Sequence, residues 1–360
     1  LDTAKAEKRA MTSEEINKFD ELEKEIVNID KTIEREEKRN SMENTVINIT
    51  DGTILGDIAL TGGNNKEHAG KLSITGGYFE GGVYSYAAEE ATNEMNITGG
   101  EFTKETMENT DHYLISGSYV FALNSNGVYE VVTEPEATQT NEAKVGKVAY
   151  TTLQEAVKAA KENETVVVLK DIELTSPVVI PAGYEITIDL NGYTISGVDK
   201  NTTGNYELIQ NNGALIIKDS VGTGAITLKA LNDRDFNYAS AVIVSNPGST
   251  LVVKEGTIEH IGGTDMAYAI DVRTNGNAGD VKAIIEGGTI RSTYRAIRQF
   301  LNSTTCKNEL EVNGGTVEST TGNYAIWFQN ASNNANKGNI TITEGNIGRV
   351  YVYSYKLESS

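Results

Sequence analysis

Few residues of this 360-residue chain have the type and spacing that chemistry needs, and they concentrate in one recurring segment. It reads SAVIVSN, YAIDVRTN, RAIRQFLN and YAIWFQN at successive places between Ser240 and Asn330. Aligning these copies stacks Ile243, Asp271, Arg298 and Trp327 in one column. The adjacent column holds Ser245, Arg273, Phe300 and Gln329. Aromatic faces pack on sugar rings, and arginine and carboxylate groups bond hydroxyls. Asp271, Arg273, Arg298, Phe300, Trp327 and Gln329 therefore form a candidate glycan-binding strip. The competing reading is a solvated sheet face with an ordinary cross-strand ion pair.

Catalytic chemistry finds less support. A glycosidase needs two carboxylates across a groove, and no second acid aligns beside Asp271. A calcium-dependent lyase needs clustered acidic ligands, whereas Asp265, Asp271 and Asp280 scatter over turns. His68, His112 and His260 lie far apart in sequence, without metal-ligand spacing. No phosphate loop, nucleophile elbow or zinc-protease helix occurs. The single cysteine, Cys306 in the turn NSTTCKN, excludes an intramolecular disulfide framework and reads as an incidental surface thiol. The expectation is a protein without catalytic residues, cofactor or metal. A formal charge of −20 would repel phosphate and disfavours nucleic acid as a partner. No apolar run reaches the roughly 18 residues of a membrane span. The chain opens at Leu1 without an initiator methionine and reads as a fragment.

The elements that must position the strip announce themselves by repetition. The phrase is INITDGTI from Ile47, LSITGGYF from Leu72, MNITGGEF from Met95, LVVKEGTI from Leu251, AIIEGGTI from Ala283, LEVNGGTV from Leu310 and ITITEGNI from Ile340. LIIKDSVG from Leu215 is a weaker copy. Apolar residues two apart share one face of a pleated strand, and the glycines turn the chain without a Cβ clash. Taking the central aliphatic residue as anchor gives Ile49, Ile74 and Ile97, then Ile188, Ile217, Val253, Ile285, Val312 and Ile342. The later anchors are 29, 36, 32, 27 and 30 residues apart. Such spacings suit one coil of a β-solenoid with corner loops of variable length. An asparagine near the end of the second strand, at Asn211, Asn246, Asn275, Asn302 and Asn330, is expected to take left-handed turns and to bond amide to amide between coils.

Four segments follow. Residues 1–43 are dense in Glu and Lys; Thr12 and Glu15 form a capping-box pattern that predicts a helix from about Ser13. Phe19, Leu22, Ile26, Ile29 and Ile33 place an apolar stripe on that helix over about two heptads. This suits either a docked amphipathic helix or an oligomerising stalk. Residues 44–133 hold three repeat copies and close on a hairpin with an Asn126-Gly127 turn. Residues 134–144 are polar and aperiodic, and read as a linker. Residues 145–360 open with TTLQEAVKAAK, in which Leu153, Ala156, Val157 and Ala160 share one helical face that plugs the end of a new solenoid. The fold expected is all-β: a right-handed parallel β-helix in two sections, preceded by an N-terminal amphipathic α-helix.

TTLQEAVKAAKENETVVVLKDIEL, the following IPAGYEITIDLNGYTISG and the Gly-Gly-Thr phrases resemble the right-handed parallel β-helix superfamily typified by pectate lyases. They are most similar to repetitive surface proteins of gut Firmicutes and their phages. Residues 72–133 resemble the closing part of the same type of domain. Residues 1–43 are similar to the N-terminal scaffolding (delta) region of tailed-phage major capsid proteins, although nothing after residue 44 has the spine helix of a capsid subunit. The superfamily holds lyases, hydrolases, adhesins and phage spikes, so the resemblance carries fold more than function. Together these imply a structural or display protein, a β-helix rod joined to a phage head through its N-terminal helix, with capsid subunits or its own copies as partners and surface glycans as ligands. The alternatives are an extracellular adhesin on a bacterial surface and, more weakly, a polysaccharide lyase or hydrolase.

Overall fold

The structure, a computed structural model, describes residues 10–43, 46–61, 71–86, 94–232, 238–264, 266–276, 278–331 and 338–354. His68 and Asp265 lie outside the described residues. The chain divides into two units, Leu1–Gly117 and Ser118–Ser360. Both are built of parallel β-solenoid coils, about nine turns between them.

In the second unit each coil contributes one strand to each of three parallel sheets. The first sheet runs Glu164–Val168, Glu185–Asp189, Ala214–Lys218, Thr250–Val253, Val281–Ile285, Asn308–Val312 and Gly338–Ile342. Its central column is Val166, Ile188, Ile217, Val253, Ile285, Val312 and Ile342, each beside the next. This is the column expected from the anchors. The second sheet stacks Ile195, Ile226, Ile258, Ile290, Val317 and Ile347. The third stacks Ile209, Ile243, Ile270, Ile297, Ile326 and Val350. The three columns point at one another and, apart from their last members Ile342, Ile347 and Val350, form one continuous buried core. Burying an aliphatic side chain stabilises by roughly 1.5–3 kcal/mol, so each interior coil is held by its own triplet.

Between the first and second sheets the chain turns on glycine. Gly288 has φ +75°, and a Cβ there would lie 2.4 Å from the Gly256 carbonyl oxygen of the coil before. The weaker repeat copy, LIIKDSVG, pairs fully in register and departs only at this corner. There the Asp219 carboxylate accepts the Gly192 and Gly224 amides at 2.8 and 2.5 Å, closing a longer turn.

The helix Leu153–Ala159 plugs the start of this solenoid. Thr152 and Glu155 form its capping box, and Leu153, Ala156, Val157 and Ala160 are buried as the pattern predicted. The hairpin of Tyr119–Leu123 with Tyr129–Thr133 has the expected turn, with Gly127 at φ +79°. It belongs to the second unit. The stretch 134–144 is not a bare linker. Thr133 and Glu136 cap a short helix, Glu134–Ala137, and Ala137 and Asn141 are fully buried. Ala143–Val145 then pairs antiparallel with Val148–Tyr150 and Glu164–Val168.

In the first unit, Val46–Ile49, Lys71–Ile74 and Glu94–Ile97 stack in parallel with Ile49, Ile74 and Ile97 aligned. Phe79 and Phe102 stack at 4.6 Å in the neighbouring sheet. The N-terminal helix spans Ser13–Glu43. Thr12 caps it as expected, its hydroxyl accepting the Glu15 amide at 3.3 Å. Phe19, Leu22, Ile26, Ile29 and Ile33 all face solvent.

The five asparagines do not form one ladder. Asn275 and Asn302 stand side by side with their amides bonded at 3.2 Å, and Asn246 bonds Asn212 at 2.9 Å. Asn211 instead lies beside Ser245, and Asn330 beside Leu301. None of the five has positive φ; among the described non-glycine residues only Asn163 and Asn191 do.

Candidate functional site

The strip lies on the outer face of the third sheet. There Asp271, Arg298, Trp327 and Tyr351 occupy adjacent strands in one column. Arg273, Phe300, Gln329 and Tyr353 form the next. The structure thus brings all six sequence-derived candidates together. It moves the two upstream members. Val244, not Ile243, lies beside Asp271, and Ser245 lies beside Val272. Ile243 belongs to the core column.

The base of the strip is a closed ionic network. Arg298 donates from Nε to Asp271 Oδ1 at 2.8 Å and from Nη2 to Oδ2 at 2.5 Å. Arg273 Nε lies 3.4 Å from Asp271, while its Nη2 donates to Glu207 at 2.5 Å. Asp271 has no exposed surface, and Arg298 retains 7%. Burial pushes the Asp271 carboxyl up, but the guanidinium groups of Arg298 and then Arg273 outweigh it and hold the group below its ordinary value. For Arg298, burial opposes the charge, and the Asp271 carboxylate more than restores it. Glu207 is the second acid that the aligned sequence did not show; it comes from an earlier coil and reaches Asp271 only through Arg273.

Aromatic rings close over this network. The Arg298 guanidinium sits 4.5 Å from the Tyr268 ring centroid and 5.2 Å from that of Phe300. Arg295 stacks 3.8 Å over Trp327, and Tyr268 lies 6.2 Å from Trp327. One face of the indole is therefore occupied by the protein itself. Tyr268 is fully buried with Ala241 and Val244, and its phenol is pushed up chiefly by that burial. The accessible part of the strip is its last coil: Tyr351 and Tyr353 are each 40% exposed, beside the half-buried Trp327 and Gln329. Tyr351 also stacks on Tyr324 at 4.6 Å.

Sequence reasoning missed Glu207, Tyr268, Arg295, Tyr351 and Tyr353. The alternation in VYVYS, Val350–Ser354, was the available signal for the two tyrosines. Tyr268 and Arg295 are neighbours in a third column, which the aligned copies YAIDVRTN and RAIRQFLN show at their first position.

Elsewhere, Asp199, Ser240 and His260 form a buried chain, with the serine hydroxyl between carboxylate and imidazole at 2.7 and 2.9 Å. A serine held in the middle is bonded on both sides and is not poised as a nucleophile. Cys306 is buried rather than a surface thiol, because its loop folds onto Ser303, whose hydroxyl accepts the Cys306 amide at 2.9 Å. The Ser303 and Thr305 hydroxyls lower its thiol's pKa. Among the described residues no group of three or more His, Cys, Asp or Glu gathers as metal ligands, and no helix is long and apolar enough to cross a membrane. No family model, curated protein or solved structure matches this chain.

Proposed function

We propose that this chain is a non-enzymatic structural and display protein whose third-sheet face binds glycans. The observation that carries the reading is the aromatic ledge of Trp327, Tyr351 and Tyr353 beside Gln329, set on a base fixed by the Asp271–Arg298 pair. Rings held at fixed spacing on a stacked sheet offer a platform for sugar faces at little entropic cost.

The setting proposed is a phage head, in a chain of pectate-lyase-like β-helix type. It rests on the likeness of residues 1–43 to the capsid scaffolding region, with the exposed stripe of the N-terminal helix as the contact to capsid subunits or to its own copies. The same stripe, spaced by threes and fours, equally fits the stalk of a bacterial surface adhesin, which is the second reading. A lyase or hydrolase draws less support, since Asp271 is clamped by two arginines and has no access to a substrate.

Titration calorimetry against uronate-bearing and neutral oligosaccharides tests the binding. The expected result is saturable binding of an oligosaccharide, at least tenfold weaker in Tyr351→Ala and Tyr353→Ala with melting unchanged. No binding to any oligosaccharide, or binding indifferent to Tyr351→Ala, Tyr353→Ala and Trp327→Ala together, would overturn it. Antibody labelling of purified virions against bacterial surfaces separates the two settings.

A further inference from the structure

Five Asn–Gly pairs occur in the chain, beginning at Asn126, Asn191, Asn212, Asn275 and Asn313. Such a pair carries a nucleophile and an electrophile side by side. The glycine backbone nitrogen, once deprotonated, attacks Cγ of the asparagine side chain, and the missing Cβ leaves that approach open. An N–Cγ bond forms, the Cγ–Nδ2 bond breaks, and ammonia leaves with the proton. Water then opens the cyclic imide at either carbonyl and gives aspartate or isoaspartate. The reaction needs a mobile asparagine side chain and a released glycine amide.

Four of the pairs are held by the coil stack. Asn191 donates from Nδ2 to the Val168 carbonyl at 3.0 Å, and the Gly192 amide donates to Asp219 at 2.8 Å. Asn212 donates to the Ile180 carbonyl at 3.3 Å and accepts from Asn246 at 2.9 Å, while the Gly213 amide donates to Asn211 at 3.2 Å. Asn275 accepts from Asn302 at 3.2 Å, and the Gly276 amide donates to the Asn302 carbonyl at 2.9 Å. Asn313 accepts the Thr343 hydroxyl at 2.7 Å, and Gly314 lies so close to the coil before it that a Cβ would stand 2.3 Å from the Glu286 carbonyl oxygen. In every case a bond to a neighbouring coil fixes the asparagine side chain, so its release requires coils to separate.

Asn126 differs. It lies in the hairpin turn between Tyr119–Leu123 and Tyr129–Thr133, and both it and Gly127 are exposed. Its side chain has no hydrogen-bond partner among the described residues. The Gly127 amide donates only within the turn, to the Asn124 carbonyl at 3.1 Å. Asn124 holds that turn: its Oδ1 accepts the Asn126 and Val128 amides at 2.9 and 3.1 Å, and its Nδ2 donates to Glu130 at 2.6 Å. Opening this one turn releases Gly127 and disturbs no coil.

We propose that Asn126 is a self-modifying site, converted through a cyclic imide with Gly127 to aspartate and isoaspartate in the folded protein, while the four solenoid pairs persist. The product carries one more negative charge at the hairpin tip, and the isoaspartate form lengthens the turn backbone by one carbon. Asn124 acts as a positioning residue that slows the reaction by keeping the turn closed.

The full chain is incubated at neutral and mildly alkaline pH, and peptide mass spectrometry follows each asparagine, with circular dichroism confirming the fold. Asn126 should convert at least tenfold faster than any of the other four, and its rate should rise with pH. In guanidinium the five rates should converge, because only the fold separates them. Asn124→Ala should accelerate conversion at Asn126 and leave the other four unchanged. A solenoid pair converting as fast as Asn126 in the folded chain would overturn the proposal, as would a spread of rates that survives in guanidinium. A slower Asn126 in Asn124→Ala would overturn it too, since the closed turn would then be assisting the attack.

Discussion

Asp271 and Arg298 stand on adjacent strands, point away from the solenoid core, and are nevertheless buried. An outward pair on a parallel sheet is ordinarily solvated and contributes little. This one is roofed by Tyr268 and Phe300 and joined by Arg273 and Glu207. It is a second, ionic core on the outside of the sheet, and it makes the ledge above it rigid.

Breaking that pair should destabilise more than removing it. Arg298→Ala strands a carboxylate out of water, at a cost of about 3–5 kcal/mol. The double change Asp271→Val with Arg298→Met should recover most of this, because Glu207 still answers Arg273. Urea unfolding of wild type, Asp271→Val, Arg298→Met and the double variant measures the coupling; equal losses in the single and double variants would show that the pair acts only through packing.

Acid should loosen the solenoid at specific corners. Asp189 accepts the Asn191 and Ser220 amides and pairs with Lys218 at 3.2 Å. Burial pushes its carboxyl up, but those amides and Lys218 together hold it below 3.8, and Asp271 is held low by its arginines. A folded-state value below the unfolded one stabilises at higher pH, and the gain disappears as pH falls through the folded value. Melting temperature should therefore drop as pH is lowered from about 4, and Asp189→Asn should flatten that drop while lowering stability at pH 7. A melting curve for Asp189→Asn as steep in pH as wild type would contradict this.

Two glycines separate conformation from crowding. Gly222 has φ +91° and open space, with no atom within 4 Å of where a Cβ would stand, whereas Gly288 has φ +75° and the Gly256 oxygen at 2.4 Å. Gly222→Ala should cost only about 1 kcal/mol, the left-handed penalty less the entropy gained. Gly288→Ala carries the same penalty and also forces two coils apart, and should cost at least about 2 kcal/mol more. Thermal melts of the two variants make the comparison.

The plug helix should be sensitive to its cap and its buried face in different degrees. Thr152 accepts the Glu155 amide at 3.2 Å, so Thr152→Ala should cost about 1 kcal/mol. Val157→Asp places a charge against the first coil and should expose Glu164–Val168 to protease. Limited proteolysis reads this directly; an unchanged cleavage pattern would mean the helix does not close that end.

What the sequence determined by itself was whatever rests on strict alternation. Ile188, Val312 and Ile342 have polar neighbours on both sides, and Ile217, Val253 and Ile285 have a charged residue after them, so the inward direction and the coil-to-coil partner of each follow from the repeat's spacing. The capping box at Thr12 was legible for the same reason, being a local bond between residues three apart. What only the tertiary structure decided lies where a strand is covered on both faces. Every residue of Ser240–Ser245 is buried. Alternation then vanishes, and letter-matching slipped by one position, setting Ile243 where Val244 belongs. Glu207 reaches the Asp271–Arg298 pair from two coils earlier, Tyr268 covers Arg298 from the strand of Asp271 itself, and Tyr351 follows from the register of the last coil. Spacing along a chain encodes which way a side chain points, but the company it keeps on the outside of a coil depends on how coils stack.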